Sequence, residues 1–491
     1  MKKAEGVYNL VVVGAGTAGL VTAAGAFALG ARVALIERHK MGGDCLNFGC
    51  VPSKALISTS RLLQRMREAE AWGLEKNEPQ FDFAKVFASM RARRAELAPL
   101  DSQERFESLG VDVFREEATF LSPHELAVGD HKLRSRYFII ATGSRAAVPP
   151  VIGTSRVPYF TNETIFDDLK EKPASLLIIG GGPIGCELGQ MLDRLGVKVT
   201  ILQRGPRLLP KEDPVVSEFV RARLEGEGVR VVTEVEIKEA TRNADRIKLC
   251  ASGQEFTGNA LLVAAGRQPN LENLNLRKAN VAFTSHGVTV NGHLQTSQPN
   301  IYAAGDIIGQ LGFTHVADYH ARVVIRNTLV PFGFLRQKID YSCIPWCTYL
   351  DPEVATVGLT EAAAKEKGVT YDLIEQEMKA VDRAVVERVE AGFARVLVRR
   401  GGDTILGATV VGEHAGELIQ EFVLAMKHGI GLKKIAATVY SYPTFASLVL
   451  KTAESFNRRR LTPAAHGITA ALYRWHRWLR DKFAKSETMR N

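Results

Sequence analysis

YNLVVVGAGTAGLVTAAGAFALGARVALIE, residues 8–37, carries the decision about the fold. The apolar run at 8–13 reads as a strand buried on both faces, GAGTAG as a tight turn, the alanine-rich stretch to about Gly30 as a helix, and RVALIE as a second strand ending at Glu37. The same grammar returns in LLIIGGGPIGCELGQMLDRLGVKVTILQ, residues 176–203, where the second strand ends at Gln203. The two G-x-G-x-x-G turns begin at Gly14 and Gly180, and each reaches the residue that closes its second strand 23 positions later. That is an internal duplication of a dinucleotide-binding βαβ unit, and it sets an α/β fold class with two Rossmann-like domains.

Each turn has a mechanical reading. Gly14, Gly16 and Gly19 let backbone N–H groups at a helix start approach a pyrophosphate, while Glu37 accepts hydrogen bonds from a ribose. Gly180, Gly182 and Gly185 repeat the device, but there the strand ends in Gln203-Arg204. An acid would grip a free 2′-hydroxyl and repel a 2′-phosphate; a neutral residue beside Arg204 and Arg207 admits the phosphate, so NADPH is expected over NADH. The plainer reading leaves both arginines as solvated surface.

The sharpest chemical signal is GGDCLNFGCVPSK at 42–54. Cys45 and Cys50 are separated by four residues, and Pro52 belongs in the first turn of a helix. A helix start would hold the Cys50 thiolate against positive N–H ends and lower its pKa. A zinc site would want further Cys or His at ligand spacing, and none stands nearby. The pair reads as a redox-active disulfide.

Composition bounds the rest. A chain of 491 residues is too long for one core and predicts three or so domains. The net charge of +9 is local: residues 457–491 hold nine Lys and Arg against two acids, which leaves the body nearly neutral and gives no ground for nucleic-acid binding. No apolar run approaches the roughly 18 residues that span a bilayer, and the first strand begins too soon for a signal peptide, so a cytoplasmic protein is expected. Six scattered cysteines make no structural disulfide framework. From Asp340 the pattern changes to alternating strands and two amphipathic helices, a further α+β domain.

With these motifs in order from residue 8 to about 457, the chain resembles the flavoprotein pyridine nucleotide-disulfide oxidoreductases, the family of glutathione reductase, dihydrolipoamide dehydrogenase and mercuric reductase. The resemblance implies a glutathione reductase-like fold. Its parts are a first FAD-binding segment at 1–150, an NAD(P)H-binding domain at 151–275, a return segment at 276–339, a dimerisation domain at 340–460 and a separate basic tail at 461–491. It implies that Gly14, Gly16, Gly19 and Glu37 hold FAD together with Gly43, Ala118, Ala141, Thr142, Gly143 and Asp306, the last at the ribityl chain. Gly180, Gly182 and Gly185 would hold NAD(P)H, with Gly266 beside the nicotinamide nucleotide. Cys50 would lie against the flavin as the charge-transfer thiolate, and Cys45, farther out, would attack or bind the substrate. Lys54 would sit near the flavin N5 and pair with Glu187; without the motifs around them the two would read as an ordinary surface pair. A homodimer with a composite active site is also implied.

The pattern breaks near the C-terminus. Disulfide-reducing members carry a segment like HxHPTxxE whose second His is the general base and whose Glu orients it; here residues 440–447 read YSYPTFAS, with Tyr442 at the His position and Ser447 at the Glu position. Losing a positioned base costs about 10²–10⁴-fold in a step that needs proton transfer. Efficient turnover of glutathione disulfide or dihydrolipoamide is therefore not expected. Reduction of a soft metal ion needs thiolates and a reduced flavin but no His base, which points to a mercuric reductase-like enzyme with a metal ion or another small oxidant as acceptor. Tyr442 either donates a hydrogen bond to substrate or thiolate or is a packed interface tyrosine. Mercuric reductases also end in a vicinal Cys-Cys pair, and many begin with a metal-binding domain; this chain reads ETMRN at 487–491.

Cys343 and Cys347, placed on one strand, would stand about 13 Å apart at ~3.3 Å per residue, too far for a disulfide, and read as buried small hydrophobes, as do Cys186 and Cys250. His315 and His320 follow the strand that ends in Gly305-Asp306-Ile307 and could line the flavin site, but helix-capping or core roles are expected of them. In the tail, Ile468, Leu472, Trp475, Leu479 and Phe483 recur every three or four residues among Arg474, Arg477, Arg480 and Lys482, a basic amphipathic helix that suits either an anionic membrane surface or a partner subunit. Two other functions stay in view: a dihydrolipoamide dehydrogenase-type disulfide reductase and a membrane-docked electron-transfer component.

Overall fold

The computed structural model describes residues 6–154, 157–330, 332–460 and 463–488, and it divides into two compact units, Met1–Tyr341 and Ser342–Asn491. Leu461, where the tail was expected to begin, lies outside the described residues.

The first unit opens with β1 (Val7–Val13), α1 (Thr17–Ala28) and β2 (Val33–Ile36). Leu10, Val11 and Val12 are wholly buried, as a parallel strand covered on both faces requires. Next come α2 (Gly43–Phe48), α3 (Cys50–Arg67), α4 (Phe83–Leu97) and α5 (Gln103–Leu109). The strands β3 (Asp112–Phe114), β4 (Ala118–Ser122), β5 (Glu125–Val128), β6 (His131–Ile140) and β7 (Ser144–Ala146) follow, then the single turns α6 (Pro150–Gly153) and α7 (Ile165–Asp168). The sheet runs β3-β2-β1-β6 in parallel and continues through β5 and β4 as an antiparallel meander. A Cβ on Gly19 would stand 1.8 Å from the Gly14 carbonyl oxygen, so helix and strand approach as closely as they do only with glycine at that point.

The duplicate is β8 (Ser175–Ile179), α8 (Pro183–Arg194), β9 (Lys198–Leu202), α9 (Pro214–Glu227) and β10 (Arg230–Val232), followed by the antiparallel β11 (Ile237–Asn243), β12 (Arg246–Ala251) and β13 (Gln254–Gly258) and by β14 (Ala260–Val263). The four strands β10-β9-β8-β14 are parallel. The steric signature repeats: a Cβ on Gly185 would stand 1.9 Å from the Gly180 oxygen. β15 (Arg267–Pro269) then pairs with β7.

After the small β16 (Phe283–Thr284) and β17 (Gly287–Val288), β18 (Ile301–Ala303) returns to the first sheet and pairs in parallel with β6, Ala303 opposite Ile140. This register brings the turn after β18, which carries Asp306, to the strand ends that carry Gly14 and Thr142. Helix α10 (Thr314–Leu329) covers α1 so closely that a Cβ on Gly25 would meet Ile325 Cδ1 at 2.6 Å.

The second unit contains β19 (Pro345–Thr348), β20 (Glu353–Gly358), α11 (Glu361–Glu366), β21 (Tyr371–Glu377), α12 (Asp382–Val386), β22 (Phe393–Arg399), β23 (Ile405–Gly412), α13 (Ala415–Lys427), α14 (Leu432–Ala436), α15 (Ser447–Arg459) and α16 (Pro463–Thr488). Its sheet, β19-β20-β23-β22-β21, is antiparallel, and Phe422 of α13 and Leu448 of α15 join Val396 and Val410 in one core. Two Rossmann-like sheets and an α+β unit are the architecture that the duplication and the resemblance imply.

The cysteine placements need correction. Cys343 lies in a turn before β19, not on a strand with Cys347, and both are half-buried at the edge of the second unit's core. Cys186 is buried, but Cys250 is only half-buried because the three-stranded sheet that carries it is covered on one face.

Candidate active site

The segment 42–54 folds as two helices with a break between them. Gly42 and Gly43 both have positive φ, and a Cβ on Gly43 would stand 2.5 Å from Gly16 Cα, so the segment is laid against the first glycine turn. Cys45 lies on α2, Gly49 makes the break, and α3 starts at Cys50 with no side chain capping its free N–H groups.

Cys45 and Cys50 are in hydrogen-bonding contact, and the Thr314 hydroxyl at the start of α10 reaches the Cys50 sulfur at 3.3 Å. The hydrogen bond from Cys45, those from Thr314 and the charge of Lys54 lower the Cys50 thiol to a pKa of about 6, although burial opposes ionisation. The same contact raises Cys45 far above the ordinary thiol range, with burial adding to it. The pair therefore stands as a Cys45 thiol donating to a Cys50 thiolate. Cys45 and Cys50 are not joined by a disulfide in this structure.

Lys54, one turn along α3, places its Nζ 2.8 Å from the Glu187 carboxylate. Glu187 follows Gly185 on α8 and is buried, so the pair ties the cysteine helix to the second glycine turn.

A second network escaped the sequence reading. Arg267, directly after Gly266, donates to the Ser144 side chain and carbonyl at 2.8 and 3.1 Å and pairs with Asp44 at 3.1 Å and Asp306 at 3.6 Å. Burial works against its charge, and the carboxylates of Asp44 and Asp306 more than offset it. Ser144 also donates to Asp306 at 2.7 Å, and Thr142 and Asn270 exchange hydrogen bonds of 2.9 and 2.8 Å. These contacts fix the turns carrying Asp306, Thr142, Gly143 and Gly266 around the cysteine segment. Adjacency to the motifs was the available signal: Asp44 precedes Cys45 and Arg267 follows Gly266.

Of the two histidines, His320 is a core residue: its Nδ1 accepts from the Gly305 N–H at 3.1 Å and its Nε2 meets the Tyr341 hydroxyl at 2.8 Å. His315 is exposed and stacks on Phe313, so the core reading fails for it because α10 turns that face outward.

The glycine turns fit two nucleotides. Gly16 and Gly182, the residues before α1 and α8, have nearly identical backbones (φ −80°, ψ −175° and −176°), and neither helix start is capped by a side chain. A Cβ on Gly182 would meet nothing within 4 Å, which is the room a pyrophosphate needs against free N–H groups. Glu37 accepts from the Ala15 N–H at 2.7 Å, and Gln203 accepts from the Gly181 N–H at 2.8 Å. Arg204 is exposed and Arg207 half-buried, and neither makes an ion pair among the described residues. Ala118 and Ala141 are buried and offer a ligand their backbone only.

Tyr442 belongs to the second unit. It is exposed and donates its hydroxyl to Asp382 at 2.9 Å, and that carboxylate raises its pKa above the ordinary phenol value. Two residues earlier, Tyr440 donates to Glu421 at 2.6 Å.

Comparisons with known proteins point to one family. Residues 8–321 match the family model for pyridine nucleotide-disulphide oxidoreductase, and residues 344–453 match that family's dimerisation domain. A mercuric reductase of Staphylococcus aureus is 34% identical over 459 residues, 92% of this chain and 83% of that protein. A dihydrolipoyl dehydrogenase of Chlamydia muridarum is 32% identical, over 91% of this chain and 96% of that one. Among solved structures, the Cu(II) complex of the HOCl-induced flavoprotein disulfide reductase RclA from Escherichia coli superposes with a TM-score of 0.82 at 26% identity, covering 92% of this chain and 99% of that one.

Proposed function

The chain belongs to the pyridine nucleotide-disulphide oxidoreductase family, FAD-dependent enzymes that use NAD(P)H, and from that premise we propose that it draws electrons from NADPH and delivers them through Cys45 and Cys50 to a metal ion such as Hg(II) or to another small oxidant. The match to the dimerisation domain supports a homodimer.

Bound FAD supplies the two-electron relay between the nicotinamide and the cysteine pair. The protein's part is to keep one thiolate and one thiol ready. Cys50, at a helix start beside Lys54 and Thr314, holds the negative charge, and Cys45 meets the substrate. A thiophilic metal displaces the Cys45 proton on binding and is gripped by two sulfurs, and its reduction leaves no sulfur or oxygen atom of the substrate to be protonated. A disulfide substrate would differ, since its departing thiolate needs an acid.

The observation that carries the choice of acceptor is Tyr442. At the place of the family's base it offers a phenol whose proton is held tighter than usual by Asp382. Such a group neither accepts nor donates a proton readily near neutral pH. The E. coli structure described as a Cu(II) complex extends the metal class to Cu(II). NADPH is preferred over NADH on the strength of Gln203 with Arg204 and Arg207.

Anaerobic reduction with NADPH or NADH, followed by Hg(II), Cu(II), lipoamide or glutathione disulfide, tests the reading. Fast reoxidation by the metal ions that is lost in Cys45→Ala is expected. Fast reoxidation by lipoamide would favour the dihydrolipoamide dehydrogenase alternative and require a base elsewhere.

A further inference from the structure

Helix α16 follows the part of the chain matched by the dimerisation domain, which ends at residue 453, and the activity proposed above makes no use of it. Its 26 residues extend for about 39 Å at ~1.5 Å per residue. At the helical repeat of about 100° per residue, Ile468, Leu472, Trp475 and Leu479 form one stripe with Trp478 at its border. The stripe is open to solvent: Ile468 is 64% exposed, Leu472 54% and Trp475 59%. Arg474, Arg477 and Arg480 occupy the other side, and Lys482 lies over the Trp478 ring with its Nζ 5.0 Å from the centroid.

We infer that α16 lies flat on an anionic lipid surface, its apolar stripe sunk to the boundary between headgroups and acyl chains and its arginines on the lipid phosphates. No helix among the described residues is long and apolar enough to cross a bilayer, so the helix lies on the surface and does not span it. Charge complementarity selects this occupant. Between residues 463 and 488 the helix carries five Lys and Arg against two acids, a net positive charge that an anionic surface complements and a second copy of α16, equally positive, does not. A nucleic acid would take the arginines and leave Ile468, Leu472 and Trp475 in water. An anionic bilayer satisfies both faces, and tryptophan at the border is the residue that favours its headgroup level.

Flotation of the full-length holoenzyme with vesicles of phosphatidylcholine alone, or of an equimolar mixture with phosphatidylglycerol, tests this. The protein should float with the mixture and not with phosphatidylcholine, and the binding should weaken in high salt. Replacing Arg474, Arg477 and Arg480 by Glu should cut vesicle affinity by roughly 100-fold or more. Leu472→Glu with Trp475→Glu should abolish flotation while NADPH-dependent dye reduction stays intact. Failure to float with the mixture, or equal binding to both vesicles, overturns the inference. So does conversion of a dimer to monomers by the Leu472→Glu/Trp475→Glu protein, which would put a second copy on this face.

Discussion

Lys54 and Glu187, 133 residues apart in sequence, close an ion pair of 2.8 Å that joins the cysteine helix α3 to the second nucleotide helix α8. Lys54 also acts on Cys50, whose thiolate its charge favours. Glu187 pairs with that lysine and partly neutralises its charge. Lys54→Met should raise the Cys50 pKa by about one unit. Glu187→Gln leaves the Lys54 charge less neutralised and should lower that pKa or leave it in place. The check is the pH profile of iodoacetamide labelling of the reduced protein, with Cys50 followed by peptide mass mapping. A rise in both variants would mean that the pair acts on Cys50 only by holding α3 in place.

Thr314 offers a cleaner perturbation, because its hydroxyl touches the sulfur itself at 3.3 Å. An acid with a lowered pKa keeps its charge above that pKa and loses it as the pH falls, so labelling of wild-type Cys50 should decline through about pH 6. A hydrogen bond to a charged group contributes about 1.5–3 kcal/mol, so Thr314→Val should move the midpoint upward by about one unit or more, and Thr314→Ser should restore it. An unshifted midpoint in Thr314→Val would assign the low pKa to Cys45 and Lys54 alone.

The difference between what could and could not be read ahead of the structure follows from distance along the chain. Glu37 and Gln203 each close a βαβ unit and each accept a backbone N–H from the middle of their own glycine turn, Ala15 and Gly181. Every part of that arrangement lies within one short segment, so spacing marked both residues, though as contacts to a ribose and a 2′-phosphate and not to the backbone N–H groups they accept. Thr314 reaches Cys50 across 264 residues, and Arg267 reaches Asp44 only after β15 has paired with β7. Contacts of that kind are made by the tertiary fold and leave no periodic trace. The correction at Cys343 has the opposite cause: YSCIPWCTY, rich in apolar and aromatic residues, spans both a turn and a short strand, and its pattern does not mark the boundary between them.

Nucleotide choice rests on Gln203. Gln203→Glu keeps the shape and the acceptor for Gly181 but adds a negative charge where a 2′-phosphate would lie. Steady-state reduction of a dye acceptor should then show the KM for NADPH rising about 10- to 100-fold, with that for NADH unchanged or lower. Arg204→Ala with Arg207→Ala should move NADPH in the same direction by a smaller factor. Equal losses for both nucleotides would detach Gln203 from the choice.

His320 supplies a pH-dependent element at the turn that carries Asp306. It is 1% exposed and is held between the Gly305 N–H, which its Nδ1 accepts, and the Tyr341 hydroxyl, to which Nε2 then donates. Burial lowers its pKa from the usual 6.5 to about 4. The unfolded chain thus binds a proton near pH 6.5 that the folded chain refuses until about pH 4. The stability contributed is complete above 6.5 and is lost as the pH falls through that window, in total on the order of 3 kcal/mol. Protonation also turns Nδ1 into a donor facing the Gly305 N–H, which should loosen the turn and speed flavin release. Urea unfolding at a series of pH values should show wild-type stability dropping more steeply between pH 6.5 and 4.5 than that of His320→Asn, with flavin fluorescence rising over the same range. Parallel curves for the two proteins would show that carboxylates elsewhere govern the acid response and that His320 serves packing alone.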